Sequence, residues 1–195
     1  MGVNWEFTGG ETRLDPDEIT GLRIPLITTR AELDEHEQAN IQHARVWLNK
    51  RKPKTSELLT ESFVKRLHKE MYNEVWKWAG EFRTTEKNIG VDPVRIATDL
   101  RQLLDDARYW VEHATYGPDE IAVRVKHRIV CIHCFSNDNG RHSRLFADLL
   151  TVALGAPLFT WGTQTDMPDV RERYFEALRK ADRGDIAPLI RFARS

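Results

Sequence analysis

Residues 133–144 read HCFSNDNGRHSR and place an imidazole, a polar turn, a glycine and two arginines within twelve positions. Backbone N–H groups at the start of a helix have no intrahelical acceptors. Around Asn139-Gly140 such donors can converge on an anion, helped by the positive end of the helix dipole. Gly140 lets the backbone approach a ligand without a Cβ in the way. Arg141 and Arg144 lie three apart, so they are neighbours on one helical turn, and guanidinium forks suit phosphate oxygens. This combination fits a di- or triphosphate better than a single carboxylate. His133 stands at the mouth of the nest. An imidazole titrates near ~6.5, so a neutral base is available to take a proton from an incoming hydroxyl. Phe135 is expected to point into the core and anchor the loop. Taken singly, NDNG is ordinary turn composition, a lone histidine is more often a core residue, and lone arginines are more often solvated. Their joint order carries the reading.

Two helices must hold this loop. Ala122, Val125, Ile129 and Ile132 recur at helical spacing before it, and Leu145, Phe146, Leu149, Leu150 and Ala153 after it. Upstream, Thr29 and Glu32 form a capping box that opens a helix over roughly 31–50, ended near Pro53. Leu59, Phe63, Leu67, Met71, Val75 and Trp78 predict a second helix that runs to Gly80. Phe82, Thr84, Thr85, Ile89 and Val91 surround a polar turn and predict a β-hairpin flap, closed by Pro93. Ile96 to Val111 marks a further helix, and Tyr174 to Ala181 and Leu189 to Phe192 mark the last two. Residues 1–28 have no helical period and read as an extended arm, with Trp5, Phe7, Leu22, Ile24 and Leu26 as anchors. The expected architecture is all-α, a helical bundle over 29–195 that carries one small hairpin.

The 29 basic and 30 acidic residues nearly cancel, so neither a general nucleic-acid binder nor a membrane-surface binder is expected. No apolar run reaches the ~20 residues of a membrane span, and the opening residues lack a secretory pattern. The expected compartment is the cytosol. Cys131, His133 and Cys134 have spacing that raises zinc. A structural site needs four ligands, however, and both cysteines extend an apolar stretch, which favours a core reading.

The loop resembles the Fic (Fido) family signature, His-x-Phe-x-acid-Gly-Asn-Gly-Arg-x-x-Arg. His133, Phe135, Asn139, Gly140, Arg141 and Arg144 match it in register. GEFRTTEKNIGV is similar to the family's flap, and YFEALRKADRGDIAPLIRF to its closing helices. TTRAELDEHEQANI, TEKNIGVDP and FTWG are similar to the bacterial subgroup called mobile mystery protein B. The resemblance implies a Fic-type helical bundle and transfer of a nucleoside monophosphate, most often AMP from ATP, to a protein hydroxyl. It implies His133 as the base, Asn139, Gly140 and Arg141 on the phosphates, and Arg144 on the terminal phosphate. It also implies Thr84, Thr85 and Lys87 as a flap that docks the target protein.

Two positions depart from the signature. Asn137 stands at the acidic position that helps bind Mg²⁺ or Mn²⁺, and Asp138 replaces the first glycine. Asp138, with Asn137, is then the candidate metal ligand. Without compensation, a carboxylate ~4 Å from a phosphate costs on the order of 4 kcal/mol at an effective dielectric near ~20. The alternatives are a Fic-fold binding module with impaired transfer, or transfer of UMP, phosphate or phosphocholine. Glu32 has the spacing of the family's inhibitory glutamate after Thr28, though the capping box explains it. A separate antitoxin-like or helix-turn-helix protein is the candidate partner.

Overall fold

The computed structural model describes residues 15–163 and 169–195. Trp5 and Phe7 lie outside the described residues. Among the described residues there are nine α-helices and no strand. They are α1 (Pro16–Ile19), α2 (Arg30–Arg51), α3 (Thr55–Leu58), α4 (Glu61–Tyr72), α5 (Ile96–Glu112), α6 (Pro118–Ile132), α7 (Asn139–Ala153), α8 (Val170–Asp182) and α9 (Ala187–Ala193). None of these is long and apolar enough to cross a membrane.

The fold is built around α6 and α7, the most extensively packed pair, which flank the polar loop. Ile121, Ala122, Val123, Val125, Lys126, His127, Ile129 and Ile132 are all buried, so most of the circumference of α6 is enclosed, as befits a central helix, and Arg128 marks its exposed side. α5 and α9 also pack on α6, while α3 and α4 pack on α7. α2 lies on α4, and α8 pairs with α9. Phe146 of α7 is fully buried and meets Phe63 edge-on at 6.3 Å. Its truncation to alanine would cost about 3–5 kcal/mol.

Helix α2 begins where the capping box puts it. Thr29 Oγ1 accepts from Glu32 N–H at 3.2 Å, and Glu32 Oε2 accepts from the N–H groups of Thr28 and Thr29 at 2.8 and 3.0 Å. Glu32 is therefore committed to the cap.

Three expectations need correction. The second helix is not continuous from 55 to 80. Thr60 caps a new start by accepting from Phe63 N–H at 3.2 Å, and α4 ends at Tyr72. Beyond it the chain pairs with the arm, since Arg23 N–H donates to Val75 O and Lys77 N–H to Gly21 O, both at 2.8 Å. Long-range backbone pairing thus replaces the last helical turns, while Val75 and Trp76 still bury fully. The flap is not a hairpin either. The backbones of its two arms bond to the end of α6 and the start of the loop rather than to each other, Arg83 N–H to Cys134 O at 3.0 Å and Val91 N–H to Ile132 O at 3.3 Å. Finally, Leu26 is 85% exposed and anchors nothing, whereas Leu22 and Ile24 pack on the core.

Candidate active site

Helix α6 ends at His133, which adopts left-handed φ 56° and turns the chain into the loop. The loop is braced from beneath. Phe135 is fully buried and stacks on His68 of α4 at 3.8 Å between ring centroids. His68 Nδ1 accepts from Gly80 N–H at 3.1 Å, so its Nε2 carries the proton and donates to Asn137 O at 3.3 Å. Asn139 Oδ1 accepts from Phe135 N–H at 3.0 Å, and its Nδ2 donates to Phe135 O at 2.8 Å. The Asn139 amide is thus committed within the loop. Its side chain shapes the nest, and only its backbone remains for a phosphate. His68 could have been noticed as a polar residue on the buried face of α4.

Above the loop lies a cavity of about 750 Å³, the size of a small-molecule site. His133, Asn137, Asp138, Asn139, Gly140, Arg141 and Arg144 all line it. A Cβ built on Gly140 would meet no atom within 4 Å beyond its chain neighbours and the backbone of its own helical turns. The space beside this glycine is therefore open, as close approach by a ligand requires.

His133 is 2% exposed. Burial first, then the charges of Arg83 and Lys87, lower its pKa to about 4, so the imidazole is neutral at neutral pH. Arg83 fixes its backbone. The Arg83 guanidinium donates from Nε to His133 O at 2.6 Å, from Nη1 to Thr85 O at 2.8 Å, and from Nη2 to Val91 O. This one buried side chain ties both arms of the flap to the end of α6. It stands in the flap motif, but nothing local distinguishes it from Lys87.

The docking residues expected of the flap have different surroundings. Thr84 is exposed, and Thr85 Oγ1 donates to Glu18 at 3.2 Å. Lys87 Nζ pairs with Asp15 at 2.8 Å and with Glu18. These contacts hold the flap to α1. The flap residues that line the cavity are Ile89 and Gly90 instead. Gly90 has φ +107°, and a Cβ there would lie 2.6 Å from His133 Cβ, so only glycine lets the flap rest on His133.

Asp138 takes left-handed φ 61° as the residue before α7. A glycine suits that conformation, and aspartate is among the few side chains that tolerate it. Asp138 Oδ1 accepts from Arg141 Nε at 2.9 Å, while Oδ2 is buried without a partner. Arg141 is also paired with Glu37, a fully buried carboxyl on α2 that accepts from Trp76 Nε1 at 2.7 Å. Burial first and the Asp138 charge second push Glu37 up to about 8, despite the opposing pull of Arg141. Sequence reading missed Glu37, although it interrupts the apolar face of α2 between Leu33 and Ile41.

Arg144 differs. Its Nε makes only a long contact to Gly140 O at 3.4 Å, and the guanidinium lies over the Tyr174 ring at 5.5 Å. Among the described residues no carboxylate forms an ion pair with it. The cysteines separate as well. Cys134 is fully buried in the core, but Cys131 is only partly buried and lines the cavity, contrary to the core reading. Cys131, His133 and Cys134 do not form a zinc cluster among the described residues.

A helical domain that joins a histidine of left-handed backbone to a helix start open to a cavity is the class this geometry defines. Residues 58–151 match the model of the Fic/DOC family. It is 27% identical over 165 residues to the Protein adenylyltransferase Fic of Aedes aegypti, an alignment that covers 82% of this chain and 32% of the relative. It is 29% identical over 121 residues to the Protein adenylyltransferase fic-1 of Caenorhabditis elegans, covering 58% of this chain and 22% of the relative. The chain thus spans about a third or less of the curated relatives' length. Among solved structures, Fic-1 (residues 134–508) from C. elegans superposes with TM-score 0.67 at 24% identity, covering 90% of this chain and 51% of that one. BepC from Bartonella tribocorum, solved with bound AMPPNP, superposes with TM-score 0.67 at 18% identity, covering 86% and 87%. These likenesses establish the Fic helical fold.

Proposed function

We propose that the protein transfers the AMP moiety of ATP to a side-chain hydroxyl of a target protein. The observation that carries this is the convergence in one cavity of neutral His133, the open space at Gly140 and the unpaired-by-carboxylate Arg144. The polyphosphate would lie along the first turn of α7, with Arg144 on its terminal phosphate. Its negative charge would raise the basicity of His133 from the low value set by burial. His133 takes the hydroxyl proton as the oxygen attacks the α-phosphorus. The bond from that phosphorus to the bridging oxygen breaks, and pyrophosphate leaves. The names of the Aedes and Caenorhabditis relatives support this reading.

A divalent cation such as Mg²⁺ fits one feature of the site. Asp138 Oδ2 is a buried oxygen without a partner, and it would hold the ion, with Asn137 alongside. When bound, the ion would neutralise phosphate charge that Asp138 otherwise repels. The binding-module reading has its own support, because Arg141 is already held by Glu37 and Asp138. We place the protein in the cytosol and, on TTRAELDEHEQANI, TEKNIGVDP and FTWG, in the mobile mystery protein B subgroup. A helix-turn-helix or antitoxin-like partner follows from that subgroup alone.

The test is incubation with α-labelled ATP and Mg²⁺ or Mn²⁺ in lysate. Label on protein that disappears in His133→Ala supports transfer. Folded protein that binds ATP without labelling anything supports the binding module and rejects transfer.

A further inference from the structure

The cavity carries a second set of donors away from the phosphate turn. His127 and Cys131 are four residues apart on α6 and so share a face. Asp182 closes α8 beside them. His127 Nε2 and Asp182 Oδ1 are 2.8 Å apart, and Cys131 Sγ lies 3.6 Å from that nitrogen and 3.8 Å from that oxygen. All three residues line the cavity wall.

These separations can be compared with a coordination polyhedron. Tetrahedral zinc with bonds of about 2.0–2.1 Å to nitrogen and oxygen and about 2.3 Å to sulfur needs edges near ~3.3 Å for N···O and ~3.5 Å for the two edges to sulfur. The sulfur edges already lie within about 0.3 Å of that. The N···O edge must open by about 0.5 Å, and Asp182, with a 57% exposed side chain, is free to move. Among the described residues no other group of three such ligands comes together.

We propose that His127, Cys131 and Asp182 form a transition-metal site, with Zn²⁺ the preferred ion and the fourth position open to the cavity. The donor set selects the ion. Thiolate and imidazole favour zinc over hard cations such as Mg²⁺, which seek oxygen. The ion replaces the thiol proton of Cys131, which is released to solvent. It ties α6 to α8 and leaves one position for water or a donor atom of a bound molecule. The site is independent of the AMP-transfer reading, since none of its ligands is used there.

The experiment uses the full chain, reduced and stripped of metal. Zn²⁺ is titrated against a chromophoric chelator, and Co²⁺ is then used as a spectroscopic probe. The expected result is one equivalent per chain and a near-ultraviolet thiolate-to-cobalt band. Cys131→Ser abolishes the band and weakens zinc by at least about tenfold, since even loss of a supporting hydrogen bond costs ~10–100-fold at metal sites. Asp182→Asn, on an exposed side chain, weakens zinc but keeps the band. Cys134→Ser, as a control for the other thiol, changes neither. Zn²⁺ also raises the unfolding midpoint of the wild type and not that of Cys131→Ser. No zinc uptake, a cobalt spectrum without the thiolate band, or binding unaltered in both Cys131→Ser and Asp182→Asn would overturn the site and leave an ordinary His127–Asp182 hydrogen bond.

Discussion

Arg141 and Arg144 sit one turn apart on the same helix and line the same cavity, yet their surroundings are opposite. Arg141 is clasped between Glu37 and Asp138, with Tyr72 beneath it at 5.7 Å. Arg144 has an aromatic ring, Tyr174, and no carboxylate ion pair among the described residues. One guanidinium is invested in joining α2 to the loop, and the other lines the cavity without a carboxylate ion pair among the described residues. The difference comes from the neighbouring Asp138 and from what distant helices bring, because α2 supplies Glu37 and α8 supplies Tyr174.

The sharpest way to break this contrast is to remove each arginine in turn. Arg141→Ala leaves a buried carboxyl and a buried carboxylate facing each other. Breaking a buried pair by deleting one partner costs about 3–5 kcal/mol, and urea unfolding should show a loss of that order. Arg144→Ala should change stability by less than about 1 kcal/mol, as expected of a partly exposed side chain with weak partners. It should instead weaken ATP binding or labelling by about tenfold or more, the loss of a charge-assisted contact. Equal stability losses in both variants would erase the distinction.

pH separates the two ends of the loop next. Glu37 is raised from the usual 4.5 to about 8 by burial and by Asp138. Between those values the folded state holds a proton that the unfolded chain has released. Its contribution is therefore complete below 4.5 and is lost as pH rises through about 8. His133 has the reverse sign. Burial lowers it from 6.5 to about 4, so its contribution is complete above 6.5 and is lost as pH falls through about 4. Unfolding midpoints measured from pH 4 to pH 9 should fall at both limits. Glu37→Gln should flatten the alkaline side, and His133→Ala the acid side. An alkaline slope that survives Glu37→Gln would show that Glu37 is ionised in the fold.

The same contrast explains what the sequence could reveal. Helical spacing located α2, α5, α6, α7, α8 and α9, because each buries a stripe that repeats every three to four residues. The polar loop was legible because its residues are contiguous. What escaped depends on partners far along the chain. Val75 and Trp78 keep helical spacing, but Arg23 and Gly21 claim the backbone of Val75 and Lys77. The flap residues alternate like a hairpin, but Ile132 and Cys134 supply their acceptors. The contacts of Thr85 and Lys87 with Asp15 and Glu18 likewise join residues far apart in the chain. Glu37 and His68 were visible only as polar residues on apolar faces, and the sequence does not say what such a residue meets.

Two glycines set the finest version of the comparison. Gly90 is fixed by the protein itself, since a Cβ there would meet His133 Cβ at 2.6 Å in a left-handed backbone. Gly90→Ala should therefore destabilise the fold by about 1–3 kcal/mol, through strain and displacement of the flap. Gly140 has helical backbone and open space around its missing Cβ. Alanine is the better helix former by up to about 1 kcal/mol, so Gly140→Ala should leave the protein equally stable or slightly more so. If a phosphate approaches that backbone, the added methyl group must obstruct it, and ATP affinity should fall even as the melting temperature holds or rises. A variant that gains stability while losing its nucleotide would show that Gly140 is kept for a ligand and not for the fold. Unchanged affinity in a stable Gly140→Ala would place the nucleotide elsewhere in the cavity.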